Sequence, residues 1–364
     1  MLFWIVVFFA GVCLITSLLP LIPLPHGIFR VWEFPRTQNL IIAAFSLGVA
    51  ILFLRDDPRA IYVCLALLAA IAVQFYHIAR FTPFWRRRSA EYKGDLENVS
   101  SVKLLILNVK MGNRDYEKTR QLLRKTKPDI AVFMETDQAW IDALSDVTKD
   151  YPHRMECPFD NAYGMHVVSK LRFFEDQTRF LLNPEVPSFD TMVEHPKGGQ
   201  FRLFVVHPEP PLAIKDTIAR DAEIAFVGKM VRNDDQPVIV TGDLNDVAWS
   251  RTTRRFLRVS RLLDPREGRG QFNTFDARYR FLRWPLDHIF HSPHFQLMQM
   301  TRMSFVSSDH FPMLYRLALT DKEIGRRRVD AATEIDLEEA AELIDIEKDR
   351  DNRPVGHDWE ETKS

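Results

Sequence analysis

The chain has 364 residues, enough for two domains, and a formal net charge of −1 at neutral pH. No global basic field marks it as a general nucleic-acid binder. Its cysteines, Cys13, Cys64 and Cys157, are widely separated, and two lie in apolar runs, which points to neither a disulfide framework nor a zinc cluster.

Three apolar runs come first. Leu2 to Ile22 is long enough to span a bilayer and lacks the basic start and small-residue cleavage site of a signal peptide. Leu40 to Leu54 reaches only about 22 Å at ~1.5 Å per residue, a marginal span whose alternative is a buried or re-entrant helix. Ala60 to Tyr76 is near the usual length. Trp32, Phe34, Tyr76, Phe84 and Trp85 stand where interfacial anchors belong. With three spans, Arg55 and Arg59 share one side with the Met1 end. Arg30, Arg36, Arg80, Arg86, Arg87 and Arg88 share the other with everything that follows. The positive-inside rule then places the later part of the chain in the cytoplasm. Residues 1–80 are thus read as a transmembrane region and 81–101 as a polar linker.

A strand is expected at Val102–Leu107, ending at Asn108, and an amphipathic helix over 115–127. Ile130–Met134 reads as a buried strand ending at Glu135, followed by a helix through Trp140 to about Lys149. Gly164–Ser169 and Phe201–Val206 are further strands, the second ending at His207. A helix over Ala213–Arg232 leads to Val238–Asn245, where β-branched residues precede Gly242, Asp243 and Asn245. Residues two apart on an extended segment point the same way, so Asp243 and Asn245 can share one target; the bland reading is an Asx turn. Residues 248–262 read as a helix rich in arginine. Strands are then expected at Asp287–Phe290 and, after Asp309 and His310, at Met313–Leu319. No internal repeat or low-complexity run is present.

Six strand ends thus carry Asn108, Glu135, His207, Asp243 with Asn245, Asp287, and Asp309 with His310. Any one is ordinarily a turn or cap residue, but together they suggest convergence, since sheets flanked by helices place ligands at strand ends. Carboxylates, carboxamides and histidines without cysteine favour a hard ion, magnesium or manganese. Such an ion suits hydrolysis of a phosphoester by activated water, with a carboxylate orienting the water and a histidine at the phosphoryl or leaving group. Glycoside hydrolysis needs two carboxylates but calls for neither histidine.

From Val102 to Leu319 the ordered set resembles the endonuclease/exonuclease/phosphatase superfamily. It comprises Asn108, Pro128-Asp129 leading to Glu135, Gly164–Ser169, His207, Gly242–Asn245, Pro285–His288 and Ser308–His310. Within the superfamily the chain looks most like bacterial members with about three N-terminal spans. The resemblance implies an α/β fold, a four-layer α/β sandwich, preceded by an α-helical transmembrane region. It implies Glu135 as main metal ligand with Asn108 beside it, Asp243 orienting or deprotonating water, and Asn245 holding water or phosphate. It further implies Asp287 orienting His310 on the scissile phosphate, Asp309 supporting the metal or leaving group, and His207 as a second phosphate contact or acid. Lys110 departs from nuclease members that carry a carboxylate there, which weighs against a nuclease of that type.

Membrane tethering favours a phospholipid or lipid-linked phosphate as substrate. A membrane-tethered nuclease is the alternative, and an adaptor with a lapsed site a third. The arginines of 251–261, with Arg278, Arg280 and Arg283, are read either as a positive rim around the site or as a solvated face balanced by acids. The last 44 residues, from Asp321, hold 15 acidic and 8 basic side chains. They read as a largely disordered extension, with an amphipathic helix over 331–346 as the alternative.

Overall fold

The computed structural model describes residues 1–95, 99–320 and 330–358. The chain divides into two compact units. One is residues 1–86 with 211–217 and 268–270, and the other is the remainder.

The first unit contains α1 (Leu2–Leu18), the short α2 (Gly27–Arg30), α3 (Arg36–Phe53) and α4 (Ala60–Ile78). With their 3-10 extensions, the three long helices make apolar spans of 20, 18 and 22 residues, with mean hydropathies of 2.6, 1.5 and 2.0. At 1.5 Å per residue these are about 27–33 Å long, the thickness of a hydrocarbon core. The middle helix starts at Arg36, earlier than its apolar run, which turns the marginal span into an adequate one. Phe45 and Tyr62 are each over 70% exposed, so the outer faces are apolar. Inside, Gln74 accepts from Arg36 (3.1 Å) and donates to Ser17 (2.8 Å), while Asn39 donates to Thr16 (3.1 Å). Polar groups turned inward and bonded across helices are the arrangement that lipid demands. The segment 211–217 is held here through the backbone, with Gly27 N donating to Lys215 O (2.7 Å) and Thr217 N to Pro25 O (2.9 Å).

The second unit contains two mixed sheets. The first has β1 (Ser100–Asn108), β2 (Ile130–Met134), β3 (His153–Cys157), β4 (Met165–Ser169), β10 (Phe295–Arg302) and β11 (Met313–Leu319). Their order is β10-β11-β1-β2-β4-β3. The second has β5 (Arg172–Phe180), β6 (Pro187–Glu194), β7 (Gln200–Val206), β8 (Val238–Asp243) and β9 (Asp287–His291), in that order. Alternate residues of the central strands point into one shared core, including Leu104, Ile106, Val132, Phe189, Leu203 and Ile239. The opposite faces bury Leu105, Leu107 and Phe133 under α5 (Tyr116–Thr126) and α6 (Gln138–Leu144). Phe204, Val240 and Phe290 are buried under α7 (Ile218–Arg232) and α8 (Arg251–Ser260). This is the four-layer α/β sandwich expected, with α7 starting at Ile218 rather than Ala213.

One expectation gains detail, and for the C-terminal extension the helical alternative replaces the disordered one. The linker is anchored along the sheet edge, where Leu297 N donates to Ala90 O (2.8 Å) and Tyr92 N to Leu297 O (2.9 Å); residues 96–98 lie outside the described set. The C-terminal extension is not a solvated coil over its described part. It forms α9 (Glu334–Lys348), opened by a capping box between Thr333 and Asp336. Ala340 and Ile344 bury against Ala225 of α7. Residues 321–329, which include Arg326–Arg328, and 359–364 lie outside the described set.

Candidate active site

Asp243 ends β8 because Gly242 precedes it. Gly242 has φ +143°, and a Cβ there would lie 1.9 Å from Val206 O, so only glycine lets β8 run this close to β7. Asp243 is 1% exposed, and its Oδ1 accepts from the Asn245 backbone (2.9 Å). That Asx turn is the bland reading made real, and the same carboxylate also faces the other site residues. Asn108 donates to Asp243 Oδ2 (3.1 Å) and to Glu135 Oε1 (2.8 Å). Glu135 Oε2 accepts from Met111 N (3.2 Å). His310 Nε2 stands 3.4 Å and His207 Nε2 4.0 Å from Asp243 Oδ2, while His310 Nδ1 lies 2.8 Å from Asp287 Oδ2. Asn245 Nδ2 donates to Pro208 O (2.9 Å), next to His207. Asp309 lies 3.0 Å from Lys110 Nζ. The eight residues named from the sequence therefore fall in one contiguous cluster.

Charge within the cluster is uneven. Burial opposes the His310 imidazolium, but Asp287 and Asp243 outweigh it and push its pKa up to about 10. The cationic form of His310 is thus favoured at neutral pH, with one ring nitrogen facing Asp287 and the other Asp243. Burial pushes the Glu135 carboxyl up, against His207 and the Asn108 hydrogen bond.

Asp243, Asp287 and His310 bring ligand-type atoms within 4.8 Å of one another, and Glu135 and Asn108 adjoin them. Asp287 Oδ1 and His207 Nδ1 are buried and have no hydrogen-bond partner among the described residues. Oxygen donors with spare lone pairs fit a hard divalent ion.

Sequence reasoning missed the scaffold behind this array. Buried Arg220 donates to Asn245 O (3.0 Å) and pairs with Asp221 (2.7 Å). His288 bonds the Asp246 carbonyl (2.8 Å). Burial, then neighbouring Arg266, holds the His288 pKa well below its usual value, so the ring is neutral. Ser308 donates to Asn108 O (2.7 Å) and accepts from His310 N (3.0 Å), tying two distant parts of the chain together. Tyr163 packs on His207 with ring centroids 6.0 Å apart, and its hydroxyl donates to Val355 O. An arginine spaced among apolar residues of a helix was the available signal for Arg220; nothing local marks Tyr163.

The arginine rim is withdrawn on its α8 side. Arg251 and Arg255 (3.0 Å) pair with Glu339, and Arg258 pairs with Asp336 (2.5 Å), so two carboxylates of α9 hold three arginines of α8. Lys110, in contrast, brings a cation into the site.

The profile described as the Endonuclease/Exonuclease/phosphatase family matches residues 105–310, over half of the chain. The chain belongs to that family. Endonuclease/exonuclease/phosphatase proteins are divalent-metal-dependent hydrolases of phosphoester bonds, and this chain carries the acidic cluster such chemistry needs. No curated protein matches it. Among solved structures, D. rerio TDP2 complexed with single strand DNA product aligns at TM-score 0.51 and 17% identity, over 60% of this chain and 99% of that one. Humanized D. rerio TDP2 aligns at TM-score 0.50 and 15% identity, with the same coverage. The human Nocturnin catalytic domain with bound sulfate anion aligns at TM-score 0.49 and 15% identity, over 61% of this chain and 96% of that one. At these identities the likeness establishes the fold alone.

Proposed function

We propose that this member of the family is a membrane-anchored phosphoesterase that hydrolyses a phospholipid or lipid-linked phosphate by in-line attack of an activated water. One observation carries the reading: a single chain joins the Asp287–His310–Asp243 array to three apolar helices of bilayer length. Two further features support it. Segments 211–217 and 268–270, which follow His207 and precede Asp287 in the sequence, belong to the unit of apolar helices. Arg251, Arg255 and Arg258 of α8, which could have tracked a nucleic-acid backbone, are paired with α9.

Glu135, with Asn108 beside it, would hold the ion, for which oxygen donors favour magnesium. When bound, it would polarise the phosphoryl oxygen and steady the leaving oxygen. Asp243 orients the attacking water and takes its proton, and Asn245 holds that water or a phosphate oxygen. His310, kept cationic by Asp287, donates to the phosphoryl group as charge builds there. His207 supplies a second contact or the proton for the leaving group. Lys110 and Asp309 frame the entrance. The resemblance to bacterial members with N-terminal spans supports a location in the cytoplasmic membrane, and the arginine distribution supports a catalytic domain on its cytoplasmic side.

The test uses the full-length protein in detergent with magnesium, with EDTA and Asp243→Ala as controls. Phosphate release from lipid-linked pyrophosphates and phospholipids is expected, with supercoiled DNA left intact. Efficient nicking that disappears in Asp243→Ala would replace the lipid reading with a membrane-tethered nuclease.

A further inference from the structure

Beside the site lies a loop that the chemistry above does not use. Residues 275–284 double back on themselves: Phe275 N donates to Trp284 O (2.9 Å), and Trp284 N donates to Phe275 O. The root of this loop is built into the active site. Phe275 bridges His310 in antiparallel fashion with ring centroids 4.9 Å apart, and Ala277 N donates to Asp309 O (2.7 Å). Its tip is the opposite in character. Tyr279, Phe281 and Leu282 are 53%, 78% and 48% exposed. Single exposed apolar side chains are ordinary on a protein surface, but three within four residues are a patch that water disfavours. Phe305, 44% exposed, adds to it from the loop before Asp309 and stacks on Phe311 (6.3 Å).

The charges around the tip that lack an ion-pair partner among the described residues are of one sign. Arg278 is spoken for by Asp276 and Asp309. Arg280, Arg283 and Arg302 have no carboxylate partner among the described residues. Arg280 lies over the Phe281 ring (5.6 Å), and Arg283 and Arg302 both lie over Phe311 (4.8 Å each). Stacking orders these guanidiniums without neutralising them. Aromatic and leucine side chains flanked by unneutralised arginine match the acyl–headgroup boundary of an anionic bilayer.

We infer that the Tyr279–Arg283 tip is a membrane-docking element, with Phe281 and Leu282 entering the acyl boundary and Arg280, Arg283 and Arg302 on anionic headgroups. The element seats the mouth of the active site on the lipid surface. This inference rests on the reading of a lipid-borne substrate and deepens it, because a headgroup phosphate would reach His310 without leaving the bilayer. Nucleic acid would also find aromatic and arginine groups here. Lipid is favoured because the same chain carries three bilayer-length helices and Leu282 offers no face for base stacking.

Full-length protein in nanodiscs made with acyl-brominated lipid tests it. Phe281→Trp reports on the tip, and Phe180→Trp, exposed on β5, is the control. The signal of the parent's seven tryptophans is subtracted. In phosphatidylglycerol discs, bromolipid is expected to quench the tip reporter by roughly 30% or more, with less quenching in phosphatidylcholine discs and in an Arg280→Glu/Arg283→Glu background. Quenching of the tip reporter no greater than that of the β5 control, with the protein retained in the disc, would overturn the docking element and leave the anchor standing. A tip signal that responds to a single-stranded oligonucleotide but not to bromolipid would overturn it in favour of a nucleic-acid contact. Failure of the protein to stay with the disc would remove both the anchor and the docking element.

Discussion

His310 is wedged between two carboxylates, and its charge is the most consequential property of any single side chain here. Removing the carboxylate at 287 while keeping its shape isolates that effect. Asp287→Asn is expected to lower kcat by about 10²-fold or more with KM little changed, measured as phosphate release, because a positioned proton donor contributes ~10²–10⁴-fold. Glu223 gives a prediction that does not depend on turnover. It is buried under the sandwich edge, accepts from Ser188 (3.1 Å), and lies near Glu209 and Glu347; burial pushes its pKa up to about 8. Unfolded, the carboxyl ionises near 4.5, so between about pH 4.5 and 8 the folded state binds more protons and stability falls as pH rises. Glu223→Gln lacks that titration. Chemical denaturation should show it no more stable than the parent near pH 4, and more stable by roughly 2–4 kcal/mol at pH 8 and above. At Gly242 the constraint is steric: Gly242→Ala places a Cβ against Val206 O and should destabilise by about 3 kcal/mol or more, read from the same denaturation.

The helix α9 shows why parts of the fold could be read from sequence and others could not. Strands β2 and β8 are buried throughout and β1, β7 and β11 over most of their length, so they appear as mainly apolar runs, and the residues that follow β1, β2 and β7, end β8 or precede β11 mark the site. Strand β5 is mostly exposed and rich in charge, β6 opens on Pro187, β3 is half-exposed, and β10 mixes polar residues with methionine beyond Leu297; none carries the pattern that marks a strand. For α9 the obstacle is different. Its acidic side chains look self-repelling along the chain, but two of them, Asp336 and Glu339, pair with Arg251, Arg255 and Arg258 in space. The compensating charge lies some eighty residues away in sequence, where composition cannot find it. Asp336 caps the helix and also pairs with Arg258. Asp336→Ala is therefore expected to lower protection of the Glu334–Lys348 amides by about 1–2 kcal/mol in hydrogen exchange, with little change at β8.

Across the full chain, the distribution of arginine predicts an orientation. The 55–59 turn shares a side of the membrane with the Met1 end, opposite the catalytic domain, if all three helices span. Asp56→Cys, in a protein whose three native cysteines are replaced by serine, should then react with an impermeant maleimide in intact cells. Labelling only after lysis would place the catalytic domain outside. The pairing of α8 with α9 has a consequence for how the protein is handled. A shortened protein ending at residue 330 would shed Asp336 and Glu339 and expose Arg251, Arg255 and Arg258 as an unscreened cationic face. Such a face releases counterions from any polyanion, so the shortened protein would retain DNA at low salt and release it steeply as salt rises. Binding of that kind would belong to the cut rather than to the enzyme, and a salt titration of the uncut chain beside it would expose the artefact.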